Sequence, residues 1–288
     1  MIGFVILHYM AYDMTCKCVD NLIRRFSKND IRIVIVDNCS PNGTGVLLKN
    51  KYENDYVKIL LNSENLGFAK GNNVGYEYLK PYSPEFVVVM NNDVVIEDDL
   101  FLDKVRQVYN DYNYGVLGPD IINPLIQNRQ NPSRIKPLSI DEIKTEIAFR
   151  SKMDRHFMFY YVRKSTLGRL KTLITGRSNI REKIDRDAIY ENVVLHGACY
   201  IFSQEFIKQR NLAFNDRTFL YFEEDILHTE CLKQKIKILY DPFIAVTHYE
   251  DVSTDLAFGR KYKKEKMKNH EMLKSLLILK EIRKKSID

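Results

Sequence analysis

Phe86-Val87-Val88-Val89-Met90 runs without a polar break and stops on Asn91-Asn92-Asp93. Five consecutive apolar residues leave neither side of a strand for water, which is the pattern of a strand covered on both faces. Working outward, residues 2–7, 31–36 and 57–61 read the same way, and 14–26, 45–52 and 69–79 between them read as helices. Asp13 is the candidate cap of the first helix, and Pro81 stops the third. Strand–helix alternation at this spacing predicts an α/β fold, a doubly wound, mostly parallel sheet. Right-handed crossovers then place the strand C-termini on one edge, where ligands bind in such sheets.

Three polar loops follow that edge: Asp37-Asn38-Cys39-Ser40 after the second strand, residues 62–71 after the third, and Asn91-Asn92-Asp93 after the fourth. Asp37 is suited to accept hydrogen bonds from a base or ribose. Residues 65–72 offer close backbone approach at their glycines, and Asp93 is a hard oxygen ligand. Asn91 and Asn92 serve equally well as turn formers or as site lining. The first strand ends in Leu7-His8-Tyr9-Met10, with no glycine fingerprint, which argues against a dinucleotide or P-loop site.

Beyond Asn131-Pro132 the alternation breaks. Residues 133–187 lack strand periodicity and hold a basic, aromatic stretch at 149–163. The α/β pattern resumes with a strand at 193–202 containing His196-Gly197-Ala198, then a helix at about 223–234 and strands near 236–240 and 244–247. The last 29 residues read as a basic helical tail.

The chain of 288 residues is 45% hydrophobic and 28% charged, which excludes disordered, collagen-like and disulfide-scaffold classes. Its net charge of +6 is unevenly spread: residues 133–187 carry +7, residues 260–288 carry +7, and the remainder carries −8. An acidic body with two basic segments argues against a uniformly basic nucleic-acid binder. Five scattered cysteines suit a reducing compartment, and Cys16-Lys17-Cys18 has no second pair at metal-ligand spacing. The apolar start lacks a basic flank and a cleavage site, and no stretch approaches the ~20 apolar residues that span a bilayer. The expectation is a cytoplasmic protein, soluble or peripheral to the membrane.

Taken in order, Val36-Asp37-Asn38-Cys39-Ser40, residues 65–73, Asn91-Asn92-Asp93, His196-Gly197-Ala198, residues 219–227 and Asp241 to His248 resemble the GT-A-fold glycosyltransferases of family 2, especially rhamnosyltransferase-like bacterial members. The resemblance covers about residues 1–125 and 190–250. It implies a nucleotide-sugar site including His8, Asp37, Asn38, Asn65, Gly67, Lys70, Asn72, Asn91 and Asn92, with Asp37 at the base. Asp93 matches the last aspartate of the family's DXD-type metal motif, with Asn91 where many members carry the first carboxylate. The implied cofactor is Mn²⁺ or Mg²⁺, held largely by the donor diphosphate. His248 is a further metal or diphosphate contact, or else an edge histidine bonded to a backbone carbonyl. His196 and Gly197 are expected on the acceptor side.

Tyr221-Phe222-Glu223-Glu224-Asp225 is similar to the family's Glu-Asp motif, which contributes the catalytic base. Aligning that pair on Glu224-Asp225 makes Asp225 the base, the preferred reading; aligning it on Glu223-Glu224 makes Glu224 the base. Three carboxylates at a helix start are also favoured by the macrodipole alone.

The implied organisation is one GT-A catalytic domain, 1–259, with a nucleotide-binding half (1–132), the basic insertion (133–187) and an acceptor half (188–259), followed by the tail 260–288. The implied reaction is inverting transfer of a hexosyl or rhamnosyl group from a UDP- or dTDP-sugar to a saccharide or lipid-linked saccharide in bacterial surface polysaccharide synthesis. Residues 143–175 and the tail mix Lys and Arg with apolar residues, a composition suited to an anionic membrane face. The alternative is that the insertion covers the acceptor cleft and the tail is a solvated helix or a dimer contact. A sugar-nucleotide nucleotidyltransferase and a non-catalytic nucleic-acid-binding protein are the competing classes. The first lacks its basic Gly-rich loop, and the second lacks a recognisable motif.

Overall fold

The computed structural model describes residues 1–161, 184–249 and 261–284. The parts of the insertion, the acceptor half and the tail at 162–183, 250–260 and 285–288 lie outside the described residues. Strands β1 (Ile2–His8), β2 (Ile31–Asp37), β3 (Val57–Leu61) and β4 (Phe86–Asn91) form the expected runs, each within a residue of its expected bounds. Helices α1 (Tyr12–Arg25), α2 (Thr44–Tyr52), α3 (Gly67–Leu79) and α4 (Phe101–Tyr112) alternate with them. Asp13 does not cap α1. The helix starts one residue before it, with Ala11 at the cap position and Asp13 in the first turn. Pro81 sits in a 3-10 turn directly after α3, as a helix stop should.

The remaining strands are β5 (Val94–Val95), β6 (Val116–Asn123), β7 (Asn128–Arg129), β8 (Tyr190–Glu191), β9 (Cys199–Ser203) and β10 (Ile238–His248). The sheet order is β3-β2-β1-β4-β9-β6-β10-β5, with β7 on β6 and β8 on β10. Pairs β3–β2, β2–β1, β1–β4 and β6–β10 are parallel; β9 runs antiparallel between β4 and β6. Two sequence readings change here. The strand expected over 193–202 is regular only from Cys199, and residues 193–198 are a loop tied by a bridge between Arg134 and Val194. The two strands expected at 236–240 and 244–247 are one, because β10 absorbs an irregularity between Asp241 and Ala245 instead of breaking.

Each central strand feeds two cores. Ile2, Phe4 and Ile6 face α1, α2 and α4, together with Ile33, Ile35, Val88 and Met90. Val5, Val34, Val36, Val87 and Val89 face the other way, onto α3, α6 (Gln204–Gln209) and α7 (Glu223–Lys233). Helix α3 lies close on this side because Gly71 and Gly75, one turn apart, face the sheet. A Cβ on them would stand 2.6 Å from Leu7 and 2.5 Å from Val5.

A third core joins α5 (Ile140–Arg155), α7 and the tail helix α8 (Lys261–Lys284) through Ile143, Ile226, Leu276, Leu279 and Ile282. Leu276 and Leu279 are the apolar residues that the sequence offered to a membrane or to solvent; they are spent inside the protein instead. Arg283 donates to Leu138 O at 2.6 Å and Asn269 Nδ2 to Arg150 O at 3.2 Å, fastening the same helix to α5. Among the described residues no helix is long and apolar enough to cross a membrane.

Leu276→Ala is expected to lower unfolding free energy by about 2–4 kcal/mol in urea melts, the cost of a core cavity. A change under about 0.5 kcal/mol is what a solvated tail helix would give.

Candidate active site

The parallel register sets His8 opposite Asp37 and Leu7 opposite Asn91, so the loops after β1, β2 and β4 share one sheet edge. Because β9 is antiparallel to β4, its N-terminal approach, His196-Gly197-Ala198, arrives at that edge too, with Asn91 N bonded to Ala198 O at 2.9 Å.

Asp93 and His248 meet there through the short β5–β10 pairing, which sets His248 opposite Val94 and bonds Tyr249 N to Asp93 O at 3.0 Å. Both side chains are buried, and His248 Nε2 lies 3.2 Å from Asp93 Oδ1. His248 Nδ1 is 2.7 Å from Gln130 Oε1. A carbonyl oxygen only accepts, so Nδ1 carries the proton, and in the neutral ring Nε2 turns its lone pair toward the carboxylate. Two facing acceptors need a proton or a cation between them, and among the described residues Asp93 Oδ1 has no hydrogen-bond donor. The pair therefore fits a divalent cation. Among the described residues no group of three or more His, Cys, Asp or Glu could hold a metal, so a cation here would draw its other ligands from elsewhere. The His196 ring packs 5.9 Å from that of His248, and burial pushes its pKa down to about 4, with His248 adding to the effect and Asp93 opposing it. Its Nδ1 accepts from Ala198 N at 3.2 Å.

On the nucleotide side, the Asp37 carboxylate accepts from Ser40 Oγ at 2.5 Å and from Ser40 N. Its seat exists because position 45 is glycine: a Cβ there would lie 2.2 Å from Asp37 Oδ2. His8 is wholly buried, with Nδ1 2.7 Å from Thr15 Oγ1 and Nε2 2.9 Å from Thr44 Oγ1; burial lowers its pKa to about 4. Thr15 also receives Asn92 Nδ2 at 2.9 Å, so β1, α1, α2 and the Asn92 turn are bolted together. Asn38 makes four bonds: Oδ1 accepts from Asn62 and from Leu66 N, and Nδ2 donates to Asn65 Oδ1 and Gly67 O. His8 and Asn38 thus have their hydrogen-bonding groups occupied within the protein, and they shape the loops that border the site. Asn65 and Lys70 are exposed, while Asn72 is buried with its Oδ1 unpartnered.

Gly67 is a point of close contact between the two halves. Its φ of +76° and a Cβ position 2.2 Å from Phe219 O leave room for glycine alone, and Phe68 N bonds that same oxygen at 2.8 Å. Asn73 clamps the adjoining loop, accepting from Phe214 N at 2.9 Å and donating to Phe214 O at 2.8 Å.

That loop leads into the acidic turn. Tyr221 and Phe222 take φ of 72° and 64°, a left-handed pair that bulky residues adopt at a cost of about 1–3 kcal/mol each. Directly after it, Glu223, Glu224 and Asp225 open α7, where the helix dipole favours negative charge. Asp225 is buried and ion-paired to Arg134 through Oδ1, with Oδ2 unpartnered. Glu224 is partly exposed; burial, then the charge of Asp225, raises its pKa to about 7. Glu223 is pushed up to about 8 by burial and then by Glu224. Arg134 and Gln130 escaped sequence reasoning: each lies in or beside the basic insertion, and nothing local distinguishes them from solvated polar residues. A cavity of about 560 Å³ lies beside the turn, lined by Leu138, Thr145, Glu146 and Phe222 among others.

The sequence matches the family described as Glycosyl transferase family 2 over residues 4–184, well over half of its length. The chain belongs to that family. Solved structures share its fold. S. aureus TarS 1-349 in complex with UDP-GlcNAc superposes with TM-score 0.54 at 14% identity, covering 88% of this chain and 60% of that one. GalNAc-T7 with UDP, GalNAc and Mn²⁺ gives 0.55 at 14%, covering 86% and 43%. The mannosyltransferase PcManGT from Pyrobaculum calidifontis, with GDP-Man and Mn²⁺, gives 0.52 at 12%, covering 96% and 69%. The chain thus spans about 60% of the length of the TarS fragment. No curated protein sequence matches it. The fold is GT-A, and the class is glycosyltransferase.

The two raised carboxyls carry a stability signature. Unfolded, they titrate near 4.5; folded, at about 7 and about 8, so the folded state holds more protons across that window. Stability therefore falls as pH rises from about 4.5 to about 8. Glu223→Gln, which cannot ionise, should flatten the fall of Tm with pH measured by differential scanning fluorimetry. An unchanged slope would contradict the assignment.

Proposed function

We propose that this enzyme transfers a sugar, with inversion, from a nucleotide diphosphate donor to a hydroxyl of a saccharide or lipid-linked saccharide. The observation that carries the reading is a buried acceptor pair, Asp93 and His248, at the sheet edge where His196 arrives, with the α7 carboxylates tied to the approach of that loop by the Asp225–Arg134 ion pair and the Arg134–Val194 bridge. UDP-GlcNAc on TarS, UDP, GalNAc and Mn²⁺ on GalNAc-T7, and GDP-Man with Mn²⁺ on PcManGT support a sugar nucleotide and a divalent cation here. The donor base rests near Asp37, and the loop of Asn65, Gly67, Lys70 and Asn72 cradles the nucleotide, with Lys70 the exposed cation available to phosphate. Asp93 and His248 would hold Mn²⁺ or Mg²⁺. When bound, the cation neutralises charge on the departing diphosphate, Lewis-acid help worth several kcal/mol.

The base in this reading is Glu224. Motif alignment alone prefers Asp225, but Asp225 is buried and ion-paired to Arg134, whereas Glu224 is partly exposed, with its pKa raised to about 7. A base is most effective when its pKa lies near the working pH. Glu224 takes the proton of the acceptor hydroxyl as that oxygen bonds to the anomeric carbon. The bond from carbon to diphosphate oxygen breaks on the opposite face, and its electron pair leaves with the nucleotide. Asp225 and Arg134 hold the turn and set its field. His196 and Gly197 border the acceptor. A lipid-linked acceptor at the inner membrane face would meet the exposed Phe149, Met158 and Phe159 rather than the tail.

A panel of UDP-, dTDP- and GDP-sugars with Mn²⁺, read as nucleotide diphosphate release, tests the function; no release from any donor sinks it. Glu224→Gln should cut kcat by roughly 10²–10⁴-fold, the usual worth of general-base catalysis, with donor affinity retained. Wild-type turnover in Glu224→Gln alongside a dead Asp225→Asn moves the base one residue on. Asp93→Asn should remove the Mn²⁺ dependence of UDP binding measured calorimetrically.

A further inference from the structure

The left-handed pair Tyr221-Phe222 is held in part by the start of α7, where the Glu223 carboxylate bonds the Tyr221 backbone and Ile226 N bonds Phe222 O at 3.1 Å. Strained backbone persists only where its surroundings over-determine it. The surroundings here include α8. Ser275 Oγ donates to Leu220 O at 2.9 Å, and the Lys268 ammonium stands 5.6 Å from the centre of the Tyr221 ring. Lys233 donates to Ile282 O, and Ile226 packs with Leu276 and Leu279. Positions 268, 275 and 282 are spaced by seven, two helical turns, and therefore share one face of α8. That face touches the acidic turn at its start and α7 at its far end. Arg217, before the turn, pairs with Glu281 on the same helix.

We propose that α8 is the positioning element of the acidic turn, with Ser275 and Lys268 holding Leu220–Phe222 in its left-handed conformation and so fixing where α7 presents Glu224. The tail thereby acts on the chemistry without touching substrate. The inference rests on the reading of Glu224 as the base. Donor binding rests on the loops after β1 to β4, which none of these α8 contacts touches, and the loop of Gly67 and Phe68 is held to Phe219 by its own backbone bond. Ser275 supplies the donor for the Leu220 carbonyl, and the Tyr221 ring faces the Lys268 ammonium. Lys268 is exposed, so its replacement tests the contact without threatening the core.

The test uses the full chain with Ser275→Ala and Lys268→Met, singly and combined, and Lys268→Arg as the conservative variant. Hydrogen–deuterium exchange should rise in the peptide spanning 218–226 while peptides from β4 and α5 keep wild-type protection. UDP affinity in Mn²⁺ should be unchanged. With the sugar nucleotide that the donor panel selects, kcat should fall about tenfold in the double variant at constant donor KM, as for a displaced catalytic group, and Lys268→Arg should keep wild-type kcat. Unchanged exchange at 218–226, or exchange rising equally through α5 and α8, overturns the proposal. So does a rise in KM with kcat intact. Full activity of Glu224→Gln would refute the base instead, and would leave the exchange result standing.

Discussion

Everything in this molecule follows from a sheet covered on both faces. With helices on either side, β1, β2 and β4 carry apolar residues facing both ways, and the two cores divide their side chains by strict alternation. Polar chemistry is then excluded from the strand interiors, because a buried polar group without a partner costs about 1–3 kcal/mol. It collects at the strand ends, and parallel pairing puts those ends together. His8, Asp37, Asn91 and His248 are each the last residue of a strand. The site is where the fold can tolerate it.

At that edge the protein spends many polar groups on itself. His8, Thr15, Thr44, Asn92 and Asn38 bond among themselves and to nearby loop residues, leaving a rigid rim. Among the described residues, the buried oxygens without a hydrogen-bond donor include Asp93 Oδ1 and Asp225 Oδ2, both on carboxylates, and a carboxylate oxygen so placed can take a cation or a proton. The acidic turn shows the same economy. Burial, and then the charge of the neighbouring carboxylate, raises the proton affinity of Glu223 and Glu224, the helix dipole offsets part of the repulsion, and Arg134 pairs with Asp225. What is left is one accessible carboxyl that titrates near neutrality.

Legibility in sequence tracked the range of the interaction. The four parallel strands and the helices between them were readable because each depends on local hydrophobic pattern and on turns at its own ends. The loop 193–198 misled, since His196-Gly197-Ala198 sits in an apolar run and only the bridge between Arg134 and Val194 shows it to be irregular. The tail was legible as a helix but not in its packing: amphipathic sequence says that a face must be covered, not by what. Leu276 and Leu279 are covered by Ile143 and Ile226, fifty or more residues away in the chain.

By itself, the sequence determined the α/β class, the strand ends on which chemistry collects, and the family, because these rest on periodicity and on short motifs. Tertiary structure decided which residues meet. His248 reaches Asp93 only through the β5–β10 pairing, and Arg134 reaches Asp225 across 91 positions. The choice between Glu224 and Asp225 turns on burial and charge pairing, which adjacent letters do not encode. Proton affinity is a property of surroundings, and surroundings exist only once the chain has folded.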